Sequence, residues 1–180
     1  MYINICIKID NYIYCALNKI NINKYKPTML KQNIFKHAIM GDINTDFIDA
    51  NIDTVDWISL SKNKNLKPYL MNKYKNKLSW KHISKFIKLD ESTIKEFENF
   101  VSWIDISRYQ KLSKEFIRDF ENRVSWFLIS VYQTNVLDID FLIEFKYKIS
   151  WLSLCKHKKL SETDVRILKK YVSWISISSY

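Results

Sequence analysis

The apolar positions of the chain recur with a period of about 23 residues from the middle of the sequence onward. Tryptophan marks each period, and successive tryptophans are 23, 23, 23, 25 and 23 residues apart. They are Trp57, Trp80, Trp103, Trp126, Trp151 and Trp174. Because every tryptophan of the chain obeys this spacing, we interpret the pattern as an internal structural repeat.

Other residue types keep fixed distances from each tryptophan. In the third unit Val101 and Ser102 precede Trp103, and Ile106 and Ser107 follow it by three and four positions. The other units place an aliphatic residue, Ser or Asp, an aliphatic residue, and Ser or Cys at the same positions. A leucine follows at the ninth position, displaced in the fourth unit by a two-residue insertion. Each unit therefore has a common core pattern.

The segment that begins at tryptophan predicts a short helix. Ser102 is a suitable N-cap residue, since its hydroxyl can accept from an amide of the first turn. Asp105 is at the third helical position, where an acidic side chain is expected to complete a capping box with Ser102. Trp103, Ile106 and Ser107 then share one helical face at spacings of three and four residues.

A second helix is expected after the leucine. Ser113 is its predicted N-cap, and the apolar residues Phe116, Ile117, Phe120 and Val124 follow over roughly three turns, so we expect this helix to be the longer one. Equivalent caps are Asp90, Asp138 and Ser161. The chain is thus predicted to be mainly α, an α-solenoid of two-helix repeats. The alternative is a leucine-rich-repeat-like β/α solenoid, in which VSWIDIS and its equivalents are strands.

Residues 1–30 differ from the repeats and predict a small β-hairpin that caps the array. Isoleucines alternate with polar residues before Asp10-Asn11, and a turn there would place Cys6 opposite Cys15. Two reduced thiols are favoured over a disulfide, because we expect a cytosolic protein. Residues 31–180 are predicted to hold about five full repeats, a degenerate first unit through Asn44–Val55 and a half last unit.

Composition narrows the classes of function. Hydrophobic residues make up 47% of the 180 residues, which is enough for a sizeable core. The single glycine excludes glycine-rich phosphate loops. No Cys/His spacing suggests zinc, and Cys155 takes a position that is otherwise serine, so it is interpreted as a packing residue. We therefore expect no enzyme activity, no cofactor, no metal, no membrane contact, and a location in the cytoplasm of the host cell.

Basic residues recur at the fifth and eighth positions after tryptophan, in a chain with a net charge of +10. Stacked repeats would align them in a basic ridge bordered by aromatic residues. The candidate binding residues are Lys62, Lys85, Lys88, Arg108, Tyr109, Lys111, Tyr132, Lys156 and Lys159. Such a ridge suits single-stranded nucleic acid or an acidic protein surface. It also suits a purely structural role, because basic residues complement the C-terminal ends of helices.

The pattern VSWxxIS…LSxEFIxxF resembles the tandem tryptophan-containing repeats of proteins from giant DNA viruses and phages. The resemblance covers Asn44–Tyr180 and is closest in Val101–Trp126. It implies a helical repeat scaffold of viral or phage origin. We expect a non-enzymatic scaffold that binds a host protein, with a defence factor as one candidate. The alternatives are a basic single-stranded nucleic-acid-binding solenoid and a virion structural component that self-associates through its C-terminal edge.

Overall fold

The structure, a computed structural model, describes residues 45–50 and 52–169. These residues hold eleven helices and no strand. The helices are α1 (Thr45–Ala50), α2 (Trp57–Ser61), α3 (Pro68–Lys73), α4 (Trp80–Phe86), α5 (Glu91–Glu96), α6 (Trp103–Tyr109), α7 (Lys114–Asp119), α8 (Trp126–Tyr132), α9 (Ile139–Glu144), α10 (Trp151–His157) and α11 (Glu162–Leu168). The leucine-rich-repeat-like alternative is therefore wrong in this part of the chain, because each described tryptophan begins a helix.

The helices alternate between two types. The five helices that begin at tryptophan, α2, α4, α6, α8 and α10, are called the Trp helices below, and the others are called the second helices. Each Trp helix contacts the Trp helix of the next repeat, and α9 contacts α11 in the same way. The described repeats therefore stack in register, as the period of the sequence predicts.

The second helices are not the longer ones in the three central repeats, although α3 has six residues and α2 has five. The helix α7 has six residues, and the Trp helix α6 has seven. Helix α7 ends at Asp119, because Phe120 leaves the helical conformation, with φ near −113° and ψ near 29°. The chain continues to Val124 in hydrogen-bonded turns. The apolar stripe beyond Asp119 therefore marks buried turns that lead into the next Trp helix, which periodicity alone does not distinguish from a longer helix.

The predicted N-caps of the second helices are confirmed. The side chain of Asp90 accepts from the amide of Thr93 at 2.7 Å, and Ser113 accepts from Phe116 at 3.0 Å. The caps Asp138 and Ser161 form the same bond in their repeats. Helix α3 is the exception among these, since it begins at a proline after Lys67 and has no side-chain cap. These helices therefore begin where local sequence predicts.

Capping of the Trp helices follows the prediction only in part. Asp56 and Ser102 accept from amides of the first turn, but Ser79, Ser125 and Ser150 make no such bond. The predicted capping box of Ser102 is wrong. Its backbone amide donates to the hydroxyl of a serine in the preceding repeat, and its own hydroxyl donates to Asp105. A contact between repeats therefore replaces the local box.

The core is built by the aliphatic residues three positions after tryptophan. Ile83, Ile106 and Ile129 are fully buried, and so are the equivalent leucines of the flanking repeats. The tryptophans were expected in the core, but of the five described ones only Trp80 is buried and the rest are half-buried. The rings of Trp57, Trp80, Trp103 and Trp126 lie against the aromatic residue that follows the second helix of the same repeat; Trp103, for example, has its centroid 4.8 Å from that of Phe120.

Several predictions lie outside the described residues. They concern the N-terminal hairpin of residues 1–30 with Cys6 and Cys15, and the half repeat that contains Trp174. The division of the chain at residue 30 also stays a prediction.

Candidate interaction surface

A buried serine four residues after tryptophan joins each repeat to the next. The hydroxyl of Ser107 donates to the carbonyl of Trp103 at 2.7 Å and accepts from the amide of Ser125 at 2.9 Å. Ser61, Ser84 and Ser130 accept from the next repeat in the same way, at 2.8 to 3.0 Å. Because these bonds recur at every step, neighbouring Trp helices are held in a fixed register. This set is called the serine ladder below.

Two buried glutamines add a second connection that sequence reasoning missed. Gln110 donates to the carbonyls of Ser84 and Ile87 at 2.7 and 2.9 Å and accepts from the amide of Leu89 at 3.0 Å. Gln133, one repeat further on, donates in the same way to the carbonyls of Ser107 and Gln110 in the repeat before it. Both glutamines stand seven positions after tryptophan, and that recurrence was the available signal. They satisfy the carbonyls at the ends of the Trp helices.

The tryptophan side chains hold the link before their own helix. The indole N–H of Trp103 donates to the carbonyl of Glu98 at 3.0 Å, and Trp126 makes the same bond to Glu121 at 2.8 Å. Trp80 and Trp151 do likewise. The helices α4, α6 and α8 are thus each fixed at the beginning by the indole and at the end by the serine ladder. The surface presented by these helices is therefore a rigid one.

Among residues 45–50 and 52–169, the ion pairs lie on the second helices and their links. In the described part of the chain every ion pair joins residues of this kind, such as Arg118 with Glu144 and Lys148 with Glu121. Hydrogen bonds from Arg118 hold the pKa of Glu144 below its usual range. The ammonium of Lys114 has the same effect on the pKa of Asp138. Acidic and basic side chains of different repeats therefore pair with one another on this side of the described array.

The segments that contain the Trp helices are different, since their charge is almost entirely positive. Each segment runs from tryptophan to the leucine that follows, and together they carry ten Lys or Arg residues and one acidic residue, Asp105. The segments are 57–66, 80–89, 103–112, 126–137 and 151–160. The four segments between them, 67–79, 90–102, 113–125 and 138–150, together carry ten basic and ten acidic residues. The excess charge of the array is thus concentrated on one set of segments.

The structure places part of the predicted basic ridge in a continuous row of alternating cations and rings. Lys62 lies over Phe86, Lys85 lies over both Phe86 and Tyr109, and Arg108 lies over both Tyr109 and Tyr132. The distances from cation to ring centroid are 5.0 to 5.9 Å. Cations at such distances are attracted by the electron-rich faces of the rings. Each ring therefore has a cation of this chain over it.

The remaining ridge residues lie beside or beyond this row. Lys88 and Lys111 are exposed and, together with Lys85 and Tyr109, line a groove of about 300 Å³. Val131 takes the cation position in α8, so the row ends there. Lys156 and Lys159 are exposed one repeat further on, in α10 and the link after it. The ridge is therefore a row over three repeats with a separate basic cluster beyond it.

An exposed apolar column runs beside the ridge, and sequence reasoning missed it. The residue directly after tryptophan is Ile58, Ile104, Phe127 or Leu152 in four of the five described repeats, and Lys81 in the other. Ile104 is 66% exposed and Phe127 is 58% exposed. The signal was an apolar residue recurring at a position that the core pattern assigns to the outer face of the helix. We call these four residues the apolar column.

The other features of the described residues do not suggest a reactive or metal-binding site. A groove of about 450 Å³ lies among Arg118, Glu121, Glu144 and neighbouring residues, where the charges already pair. Burial raises the pKa of the Cys155 thiol, so its reactive thiolate is disfavoured. No group of metal-ligating side chains is found in the described ranges. None of the helices there is long and apolar enough to cross a membrane.

Comparisons with protein-family models, with curated proteins and with solved structures find no match for this chain. The resemblance to viral and phage repeat proteins thus stays a prediction of the sequence pattern.

Proposed function

We propose that this chain is a non-enzymatic interaction scaffold that binds a partner protein through the exposed face of its Trp helices. The observation that carries the proposal is the apolar column beside the basic ridge. Ile104 and Phe127 place large hydrophobic side chains in water on neighbouring helices. Exposed apolar residues scattered singly are ordinary, but a column repeated along an array is typical of a binding surface.

The rigidity of the array supports the same function. Contacts of the serine ladder and the glutamines fix neighbouring Trp helices, so little conformational freedom is lost when a partner binds. The sequence resemblance implies a viral or phage origin and a host protein as the partner. Our proposal includes both.

Quantitative affinity capture from a candidate host lysate tests the proposal. The bait is the full chain, compared with a variant carrying Ile104→Ser and Phe127→Ser. The matched control carries Tyr69→Ser and Tyr147→Ser, which remove two exposed aromatics from the second helix α3 and the link after α9. We expect proteins that the wild type and the control retain and the face variant loses. If the face variant captures the same proteins in the same amounts as the control, the proposal is wrong.

Single-stranded nucleic acid remains the second candidate, favoured by the ten-to-one excess of basic residues in the Trp-helix segments. Phosphate neutralisation accounts for such an excess, and it produces a steep salt dependence. Against it, the rings of Phe86 and Tyr109 already have Lys and Arg side chains over them, which hinders base stacking. Fluorescence anisotropy with labelled oligonucleotides at two salt concentrations separates the two candidates, since only the nucleic-acid reading expects tight binding that weakens with salt.

A further inference from the structure

We infer that the partner contributes an extended acidic segment whose apolar side chains recur at about every third residue. This inference rests on the proposed function and names the chemistry that its surface recognises. It follows from the spacing of the Trp helices, from the distance between the apolar column and the ridge, and from the distribution of charge along the array.

The stacking of the Trp helices sets the spacing of the segment. Packed helices lie about 8–10 Å apart, so equivalent residues such as Ile104 and Phe127 are separated by about that distance. An extended chain in the polyproline II conformation advances about 3.1 Å per residue and has three residues per turn, so every third side chain faces the same way and three residues cover about one repeat. A helical partner advances about 1.5 Å per residue and would reach the next member of the column only after about two turns. An extended segment therefore contacts each repeat with fewer of its own residues than a helix does.

The apolar column and the ridge are close enough for one segment to contact both. Ile104 and Arg108 are four residues apart on α6, which places them on the same face and about 6 Å apart along the helix axis. A chain that crosses the helices between these positions has one side toward the column and the other toward the ridge. Its apolar side chains thus meet the column, and the intervening residues meet the cations.

The charge on this face selects acidic residues. The residue after tryptophan and those five, six and eight positions after it include no Asp or Glu in any of the five described repeats. The ridge cations Lys62, Lys85 and Arg108 form no ion pair within the described part of the chain, although they contact rings. Carboxylates of a partner would therefore pair with Lys85 and Arg108 without competition from an ion pair, whereas the charge of Lys62 already acts on Asp56.

The surface also changes along the array. Toward α2 and α4 it is basic, since Lys81 takes the position that apolar residues occupy in the other described repeats, whereas at α8 the face consists of Phe127, Val131 and Tyr132. A polyanion without apolar groups would satisfy the first part and leave Phe127 in water. The segment is therefore expected to be most apolar where it meets α8, and acidic where it meets the lysines and arginine of α2–α6 and the basic cluster at α10.

Fluorescence anisotropy with a defined peptide tests the inference. The probe is a labelled peptide of about twelve residues that repeats Leu-Asp-Glu, which in the polyproline II conformation spans about four repeats. A control peptide of identical composition groups its leucines at one end. We expect the full chain to bind the repeating peptide about tenfold more tightly than the control peptide. Equal affinity for the two peptides would overturn the inferred spacing.

Variants of the chain identify the surface that binds. Ile104→Ser with Phe127→Ser is expected to weaken binding of the repeating peptide at least about tenfold. Lys85→Gln with Arg108→Gln is expected to weaken it and to reduce its dependence on salt. The charge-matched control, Lys77→Gln with Lys95→Gln, changes two exposed lysines away from this face and should leave the affinity unchanged. Equal effects of the ridge and control variants would contradict the inference.

The remaining outcomes separate this inference from the proposed function. Loss of host-protein capture by the face variant, without peptide binding, overturns the acidic segment and leaves the scaffold function in place. Tighter binding of an oligothymidylate than of the peptide, unaffected by Phe127→Ser, replaces both with a nucleic-acid function. A dimer in sedimentation that Phe127→Ser abolishes identifies a second copy of the chain as the occupant and overturns the acidic segment.

Discussion

Replacing Ser107 with alanine is the most direct test of how consecutive repeats are joined. Ser107 is fully buried, and its hydroxyl both donates to the carbonyl of Trp103 and accepts from the amide of Ser125. Alanine keeps the backbone and most of the side-chain volume but removes both bonds. The amide of Ser125 then has no acceptor at the junction between α6 and α8.

The magnitude follows from the cost of an amide that loses its partner. A buried donor left without an acceptor costs about 1–3 kcal/mol. Ser125 is half-buried, so water can replace part of the bond, and we expect the lower half of that range, about 1–2 kcal/mol. Ser107→Cys should cost less, because its sulfur is still a weak acceptor, and Cys155 occupies this position in the fifth described repeat.

Urea unfolding followed by tryptophan fluorescence measures the change in the free energy of unfolding. Repeat arrays need not unfold in a single step, so hydrogen exchange at the amide of Ser125 is the more local measurement. A loss of 1.4 kcal/mol corresponds to about tenfold faster exchange through the opening that exposes this amide.

The matched control is Ser92→Ala. Ser92 is exposed and its hydroxyl donates to Asp90 at 2.9 Å, so we expect a change below about 0.5 kcal/mol. If Ser107→Ala is no more destabilising than Ser92→Ala, and exchange at Ser125 is unchanged, then the serine ladder does not hold the repeats together.

Three further predictions concern the core, the indole bond and pH. Ile106→Ala removes a fully buried side chain and should lower the free energy of unfolding in urea by about 2–5 kcal/mol. Trp103→Phe removes the indole donor to Glu98 and should cost at least about 0.5–1.5 kcal/mol, with faster exchange in the link before α6 as its local sign. Hydrogen bonds from the Lys114 side chain and a backbone amide hold the pKa of Asp138 below 3.8 in the folded state. The carboxylate therefore contributes fully to the free energy of unfolding above about pH 3.8, and this contribution is lost as the pH falls through the lower folded-state pKa. Asp138→Asn should therefore be less stable than the wild type at about pH 7 in urea unfolding, and a difference that persists unchanged at about pH 2 would contradict this.

The period and the residue types around tryptophan predict most of the architecture. They place the Trp helices, the second helices and the fully buried column that contains Ile106. Each unit buries the same helical face, and the residues of that face recur at fixed positions in every repeat, so they can be recognised locally. The caps of the second helices are predicted equally well. Ser113 bonds an amide three residues away, and such short-range geometry is encoded in a few neighbouring residues.

The site is predicted less completely. The alternation of Lys62, Lys85 and Arg108 with aromatic residues is readable from the register, and the structure aligns the rings between these cations. The apolar column was equally visible as a recurring position, but hydrophobicity alone does not tell an exposed residue from a core residue. The orientation of the Trp helices within the stack decides that Phe127 faces water.

Only the tertiary structure decided which polar groups join the repeats. The sequence predicts that the amide of Ser102 donates to the side chain of Asp105. In the structure this amide donates instead to the hydroxyl of Ser84, which lies 18 residues earlier. Gln110 likewise bonds backbone groups that lie 21 to 26 residues away. A donor bonds the acceptor that the folded chain brings within reach. When that acceptor belongs to another repeat, the packing of the repeats determines which residue it is. Sequence by itself therefore determined the helices and their order, and the packing of the repeats determined their connections and their exposed face.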